Sequence, residues 1–196
     1  MRLLVGLWMG ATLGLILSGC GTSSRPVAQP HPPIKWYTAG VPATRPNLIV
    51  SATHQRLPVI AWQWRTFTGL LQHETRRGIV PWNTTVIPVT TPRLTLAWTP
   101  HVSPNTVNVT IFRTLPVMNQ PITPQQVLQT CMVNATYPTG HGCSLGAAGS
   151  LHIALTQASQ RHGVGLMISA MWIPTHPVKS AAALDHQAVW IGKLSP

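Results

Sequence analysis

Alternating apolar and polar side chains predict β-strands along most of the chain after residue 47. Within 93–98, the apolar residues Leu94, Leu96 and Trp98 occupy every second position, and 106–114 alternates in the same way. A period of two places the apolar residues on one face of a strand. Further segments of this kind are 58–67, 84–91, 151–156, 164–172 and 189–191. The pattern therefore predicts about seven strands.

Turn-forming residues separate these segments, for example Thr91-Pro92 and His162-Gly163. Short strands that are separated by turns at such intervals predict an all-β fold, an immunoglobulin-like two-sheet β-sandwich. One or two short helices are also expected, at 123–128, where a threonine cap precedes a proline, and at 180–184. The segment 69–79 is interpreted as helical or loop-like.

The first twenty residues have the layout of an export signal. Met1 and Arg2 precede an uncharged apolar run over 3–17, which ends in the residues Leu17-Ser18-Gly19-Cys20. A positive start followed by a short apolar stretch is typical of a signal peptide. The stretch is shorter than the roughly 20 residues that a membrane-spanning helix needs.

The sequence Leu17-Ser18-Gly19-Cys20 resembles the lipobox of bacterial lipoproteins. The resemblance implies that the Cys20 thiol receives a diacylglycerol and that the chain is cut just before this residue. It also implies a location at the cell membrane, lipid-anchored and facing outside. Two or more acyl chains anchor firmly because each buried methylene adds about 0.8 kcal/mol. The alternatives are a plain secretory signal or an N-terminal membrane span that happens to contain a cysteine.

Three regions follow from this interpretation: a lipoprotein signal peptide over 1–19, a proline-rich tether over 20–46 and a β-sandwich domain over 47–196. Prolines interrupt helices and sheet ladders, so we expect the tether to be extended. The apolar residues 34–37 are a candidate edge strand, which would shorten the tether.

Parts of the body resemble small exported lipoproteins of Gram-positive bacteria that carry an immunoglobulin-like domain. The resembling pieces are the Trp62/Trp64 strand and the segments 87–89, 94–98, 107–109 and 170–172. Most members of that group have no assigned activity, so the resemblance implies a fold and little about function.

The charge balance excludes several kinds of site. The chain has 13 Lys and Arg but only 2 acidic residues, Glu74 and Asp185, and its formal net charge is +11. A glycosidase needs a pair of carboxylates beside the scissile bond, and an EF-hand needs several oxygen ligands. Neither site is expected here.

The scarcity of carboxylates predicts a protein that works in an acidic exterior. A carboxylate whose pKa is depressed on folding contributes stability only above its unfolded pKa of about 4, and that stability is lost as the pH falls through the folded value. A protein that never relied on such groups loses little in acid. The alternative is a basic wall protein in a neutral medium that binds an anionic wall polymer.

The expected partners are the membrane, through the lipid anchor, and either an envelope protein or an anionic cell-wall polymer. Nucleic acid is not expected, because the basic residues are dispersed and only Arg76 and Arg77 are adjacent. A nucleic-acid footprint is normally clustered.

Two cysteines remain once Cys20 carries lipid. Cys131 and Cys143 form an even pair in an exported chain, so we predict a disulfide between them. The alternative is a metal site that uses Cys143 with His141.

No catalytic motif is found, and we expect neither an enzyme nor a bound cofactor or metal. Trp62, Trp64 and Arg65 are the candidate binding surface, because aromatic residues and arginine dominate binding hot spots. The alternative for both tryptophans is core packing. The favoured function is a lipid-anchored binding or accessory module.

A second function considered is a metal-handling or electron-transfer protein with a cupredoxin-like copper site. Such a site needs a Cys and a His a few residues apart, an axial Met and an upstream His. The nearest set is Cys143, His152, Met167 and His101, and its spacing is too wide.

Overall fold

The computed structural model describes residues 41–65, 71–75, 82–117, 120–146, 149–173 and 186–196. The predicted signal peptide 1–19, the lipidation site Cys20, the tether up to residue 40 and the predicted helix at 180–184 lie outside these residues.

Within the described ranges the chain forms twelve strands, one α-helix and two 3-10 helices. The strands are β1 Asn47–Val50, β2 Val59–Arg65, β3 Leu71–Thr75, β4 Val86–Pro88, β5 Arg93–Thr99, β6 Thr106–Phe112, β7 Val127–Asn134, β8 Thr139–Gly140, β9 Cys143–Gly146, β10 Ser150–Ala154, β11 Gly165–Met171 and β12 Gln187–Ser195. The helix α1 covers Gln157–His162, and the 3-10 helices cover Trp82–Thr84 and Pro124–Gln126.

The strands make two sheets. Sheet I has the order β1-β5-β10-β9-β8, and all its neighbours are antiparallel. Sheet II has the order β3-β2-β12-β11-β6-β7 with antiparallel neighbours, and β4 pairs in parallel with the end of β12. The all-β prediction is confirmed, whereas the immunoglobulin-like assignment stays a prediction.

The core lies where the apolar faces of the two sheets meet. Leu94, Leu96 and Trp98 of β5 are buried, as the alternation predicted. The Trp98 ring meets the rings of Trp172 and Trp190, with centroids 6.1 and 6.5 Å apart in edge-to-face geometry. Because β5 belongs to sheet I and Trp190 to sheet II, these contacts hold the sheets together.

The buried indole groups differ in their hydrogen bonds. Trp172 Nε1 donates to the carbonyl oxygen of Val102 over 3.1 Å. Within the described part of the chain, Trp98 Nε1 and Trp190 Nε1 have no acceptor. An unpaired buried donor costs about 1–3 kcal/mol, so the ring packing must offset that cost.

The short helix predicted at 123–128 is present as the 3-10 helix Pro124–Gln126, with Thr123 at its N-cap and a proline at its first position. It is shorter than the predicted segment, because Val127 begins β7. The interpretation of 69–79 as helical or loop-like is wrong for residues 71–75, which form β3 at the edge of sheet II.

Candidate functional site

Trp62 and Trp64 share one face of β2, as predicted, but that face points toward the core. Trp64 is only 2% exposed and packs against Trp172 and His186. Its Nε1 donates to the carbonyl oxygen of Pro42 over 3.2 Å. Trp64 is therefore a core residue and is not available to a partner at the surface. The side chain of Arg65 lies outside the described part of the structure.

Trp62 is half-buried and already engaged within the protein. Its Nε1 donates to Glu74 Oε2 over 3.0 Å, and the Arg45 guanidinium carbon lies 4.9 Å from the centre of its ring. A cation over an indole face is attracted by the ring quadrupole. Trp62 therefore has one ring face covered and its only donor used.

The end of the predicted tether contacts the domain. Val41 and Pro42 are buried, and Val41 belongs to the main core cluster. Together with the contacts of Pro42 and Arg45 to β2, this packing fastens residues 41–46 to the sandwich. The predicted boundary at residue 46 stays a prediction.

A disulfide joins Cys131 of β7 to Cys143 of β9, with their Cα atoms 6.0 Å apart. It therefore links sheet II to sheet I. Both cysteines belong to the main core cluster, and they are 8% and 5% exposed. The predicted pairing is present in the structure.

A depression in the outer face of sheet I lies beside this disulfide. Its volume is about 350 Å³. Four polar side chains, from four different strands, and four small or buried residues line it: Arg93, Thr139, Ser144, His152, Gly140, Gly142, Cys143 and Ala154. We call it the Arg93 depression.

Strand register explains why these polar side chains meet. His152 of β10 pairs with Ser144 of β9, and Ser144 pairs with Thr139 of β8. On the other side, Ala154 of β10 pairs with Arg93 of β5. Because the apolar residues between these positions point into the core, the polar ones point outward together.

The floor of the depression needs small residues. Gly142 has a φ of +88°, which favours glycine, and sits in the turn between β8 and β9. A Cβ at Gly140 would collide with the carbonyl oxygen of Met132 on β7. The hairpin formed by β8 and β9 can therefore lie close to β7, and the absence of side chains at Gly140 and Gly142 leaves the Arg93 depression open.

His152 is held by two hydroxyl groups. Its Nδ1 lies 3.2 Å from Thr95 Oγ1 and its Nε2 lies 3.3 Å from Ser150 Oγ. A hydroxyl group can donate or accept, so both ring nitrogens have a suitable partner and the ring orientation is fixed.

No carboxylate lines the Arg93 depression among the described residues. Glu74 is on β3 of sheet II, and Asp185 lies outside the described ranges. The exposed Arg93 therefore contributes a positive charge that no lining acid neutralises.

A second groove lies on the outer face of sheet II, with a volume of about 190 Å³. Gln63, His73, Thr75 and Gln187 provide its polar lining, and its apolar lining consists of three small residues and the predicted binding residue Trp62. It has no arginine or lysine in its lining, so it offers hydrogen bonds but little electrostatic attraction.

The cysteine of the hypothetical copper site is part of the disulfide. Cys143 is bonded to Cys131, so a thiolate ligand at this position would first require reduction of the disulfide. In the part of the chain that the structure describes, no three His, Cys, Asp or Glu side chains are grouped as metal ligands.

Sequence reasoning missed the Arg93 depression. Arg93 and His152 lie 59 positions apart, and nothing in their local sequence connects them. The sequence does show which residues face outward on each strand. In the segment 93–96 the polar residues alternate with buried leucines. His152 likewise lies between the buried residues Leu151 and Ile153.

The described helical segments include none with the length and apolar character that a bilayer crossing requires. Comparison with known protein families, curated proteins and solved structures finds no match for this chain.

Proposed function

We propose that this protein is a lipid-anchored module at the outer side of the cell membrane. It binds another envelope component and performs no catalysis. The observation that carries the proposal is the disulfide between Cys131 and Cys143, which joins the two sheets. Structural disulfides persist in oxidising compartments and are rare in the cytosol. This fits the lipobox ending at Cys20.

The module is suited to acidic surroundings. In the described residues Glu74 is the only carboxylate side chain, and the core is held by aromatic and aliphatic packing. Protonation of carboxylates that are paired in the folded state is a main cause of acid denaturation, and this fold has few such groups.

The partner is an envelope protein or an anionic polymer of the cell wall. A net charge of +11 attracts polyanions through the field of the whole protein. The Arg93 depression adds a local site with hydroxyl donors and no lining acid. This combination favours an anionic partner.

Metabolic labelling with a fatty acid tests the anchor. The wild-type chain and the control Ser23→Ala should both incorporate label, because Ser23 lies beyond the acylated residue. Cys20→Ala should incorporate none. Equal labelling of the three chains, or no labelling of the wild type, would contradict lipidation at Cys20.

Protease treatment of intact cells tests the orientation. The domain is expected to disappear from intact cells, while a cytosolic marker survives. Protection of the domain until the cells are lysed would place it inside and overturn the proposal.

A further inference from the structure

We propose that the Arg93 depression binds a tetrahedral oxyanion of the phosphate class, presented as a repeating phosphodiester or phosphoanhydride polymer outside the cell. The inference rests on the proposed function and specifies the ligand of its binding site. It is carried by the convergence of Arg93, His152, Ser144 and Thr139 around one opening.

The donors favour an oxyanion. Arg93 is exposed, and its guanidinium presents planar, paired donors that suit phosphate. The hydroxyl groups of Ser144 and Thr139 come from neighbouring strands and add donors from another direction. A tetrahedral ion accepts from several directions, whereas a planar carboxylate offers its two oxygens in one plane.

Acidic surroundings also favour phosphate over carboxylate. A carboxylate loses its charge near a pH of about 4, but a phosphodiester remains ionised in more acidic solution. A site that works outside the cell in acid therefore keeps its attraction for phosphate polymers when carboxylate polymers have become neutral.

The ring of His152 is held in place within the lining. Its two nitrogens lie within hydrogen-bond distance of the hydroxyl groups of Thr95 and Ser150. Among the lining residues from the neighbouring strands β5, β8 and β9, Arg93 is the one charged side chain. Arg93 is therefore the residue on which the attraction for an anion depends.

The central test measures binding of polyphosphate and of inorganic phosphate to the full purified chain by calorimetry at pH 5. Arg93→Gln is compared with Arg113→Gln, because Arg113 is also exposed at the surface and both changes remove one positive charge. We expect Arg93→Gln to weaken polyphosphate binding about tenfold. Arg113→Gln should weaken it less than twofold.

Inorganic phosphate tests whether the depression recognises the oxyanion itself rather than the length of the polymer. It is expected to compete with polyphosphate for the wild-type chain, at higher concentration, because both present the same oxyanion. Equal weakening by the two arginine variants, or no binding of polyphosphate, would overturn the inference. Thermal unfolding of each variant verifies that the fold is intact.

Fatty-acid labelling tests the membrane anchor, and polyphosphate binding tests the Arg93 depression, so the two proposals can fail separately. Fatty-acid labelling at Cys20 with no binding at Arg93 would leave an anchored module with a different ligand. Polyphosphate binding by an unlabelled chain would keep the site and remove the anchor.

Discussion

Reduction of the Cys131–Cys143 disulfide should destabilise the domain by a predictable amount. The two cysteines are 12 residues apart in sequence, and the bond connects the two sheets. Breaking it leaves both sulfur atoms in the core, so little packing is lost. The main effect is the greater conformational freedom of the unfolded chain.

The magnitude follows from the length of the closed loop. The chain-entropy relation gives about 3 kcal/mol at 25 °C for a loop of this size. A domain in the size range of 150–250 residues loses roughly 2–4 °C in melting temperature for each kcal/mol. We therefore expect reduction to lower the melting temperature by about 6–12 °C.

Urea unfolding followed by tryptophan fluorescence measures the loss in free energy of unfolding, because several tryptophans are buried in the core. Thermal unfolding measures the change in melting temperature. The wild type is compared with and without reductant. A Cys131→Ala/Cys143→Ala chain is the control, and reductant should not change its stability. A loss below about 1 kcal/mol in the wild type would refute the loop-closure reasoning.

Three further predictions concern the core, the edge of sheet II and acid. Trp172→Phe should lower the free energy of unfolding by about 1 kcal/mol more than Trp98→Phe, because only the former leaves the Val102 carbonyl without its donor; equal losses in urea unfolding would contradict this. Arg45→Ala should cost about 0.5–1 kcal/mol and increase quenching of Trp62 by acrylamide, since it uncovers the ring; unchanged quenching would argue against the contact. The free energy of unfolding should fall by less than about 2 kcal/mol between pH 7 and pH 3, because few carboxylates need to be protonated; unfolding at pH 3 would contradict acid adaptation.

The strands with regular apolar alternation could be predicted from the sequence. In β5 and β6 every second residue is apolar and buried, so the sequence pattern and the burial pattern coincide. The sheet order could not be predicted in this way. It depends on which strands pair over long sequence separations, as β5 does with β10.

The strand β7 was missed because polar residues occupy part of its inward face. Gln129, Cys131 and Val133 are buried at alternate positions. Gln129 is buried because its side chain donates to the Ala154 carbonyl and accepts from the Thr156 amide. Such partners come from distant segments, so a local hydrophobicity pattern does not indicate that this glutamine faces the core.

The strand β3 and the helix α1 were missed for other reasons. Residues 72–75 of β3 are all exposed at a sheet edge, so no apolar alternation marks them. The helix α1 is a short element with an N-cap at Thr156, whose hydroxyl accepts from the Ser159 amide over 3.1 Å. Its single turn and a half gives no useful periodicity.

The sequence predicts which candidate binding residues lie on the same face of a strand, but it does not predict whether that face is buried. The shared face of Trp62 and Trp64 followed from their spacing, but the side of the sheet that they occupy did not. The Arg93 depression required four strands to be aligned, and only the register provides that alignment.

The intact mass of the protein extracted from membranes tests lipidation at Cys20 and the disulfide together. We expect a chain that begins at Cys20, is heavier than its sequence by at least a diacylglyceryl group, and gains one hydrogen on each of two sulfurs after reduction. A chain that still begins at Met1, or that carries a free thiol at Cys20, would contradict it.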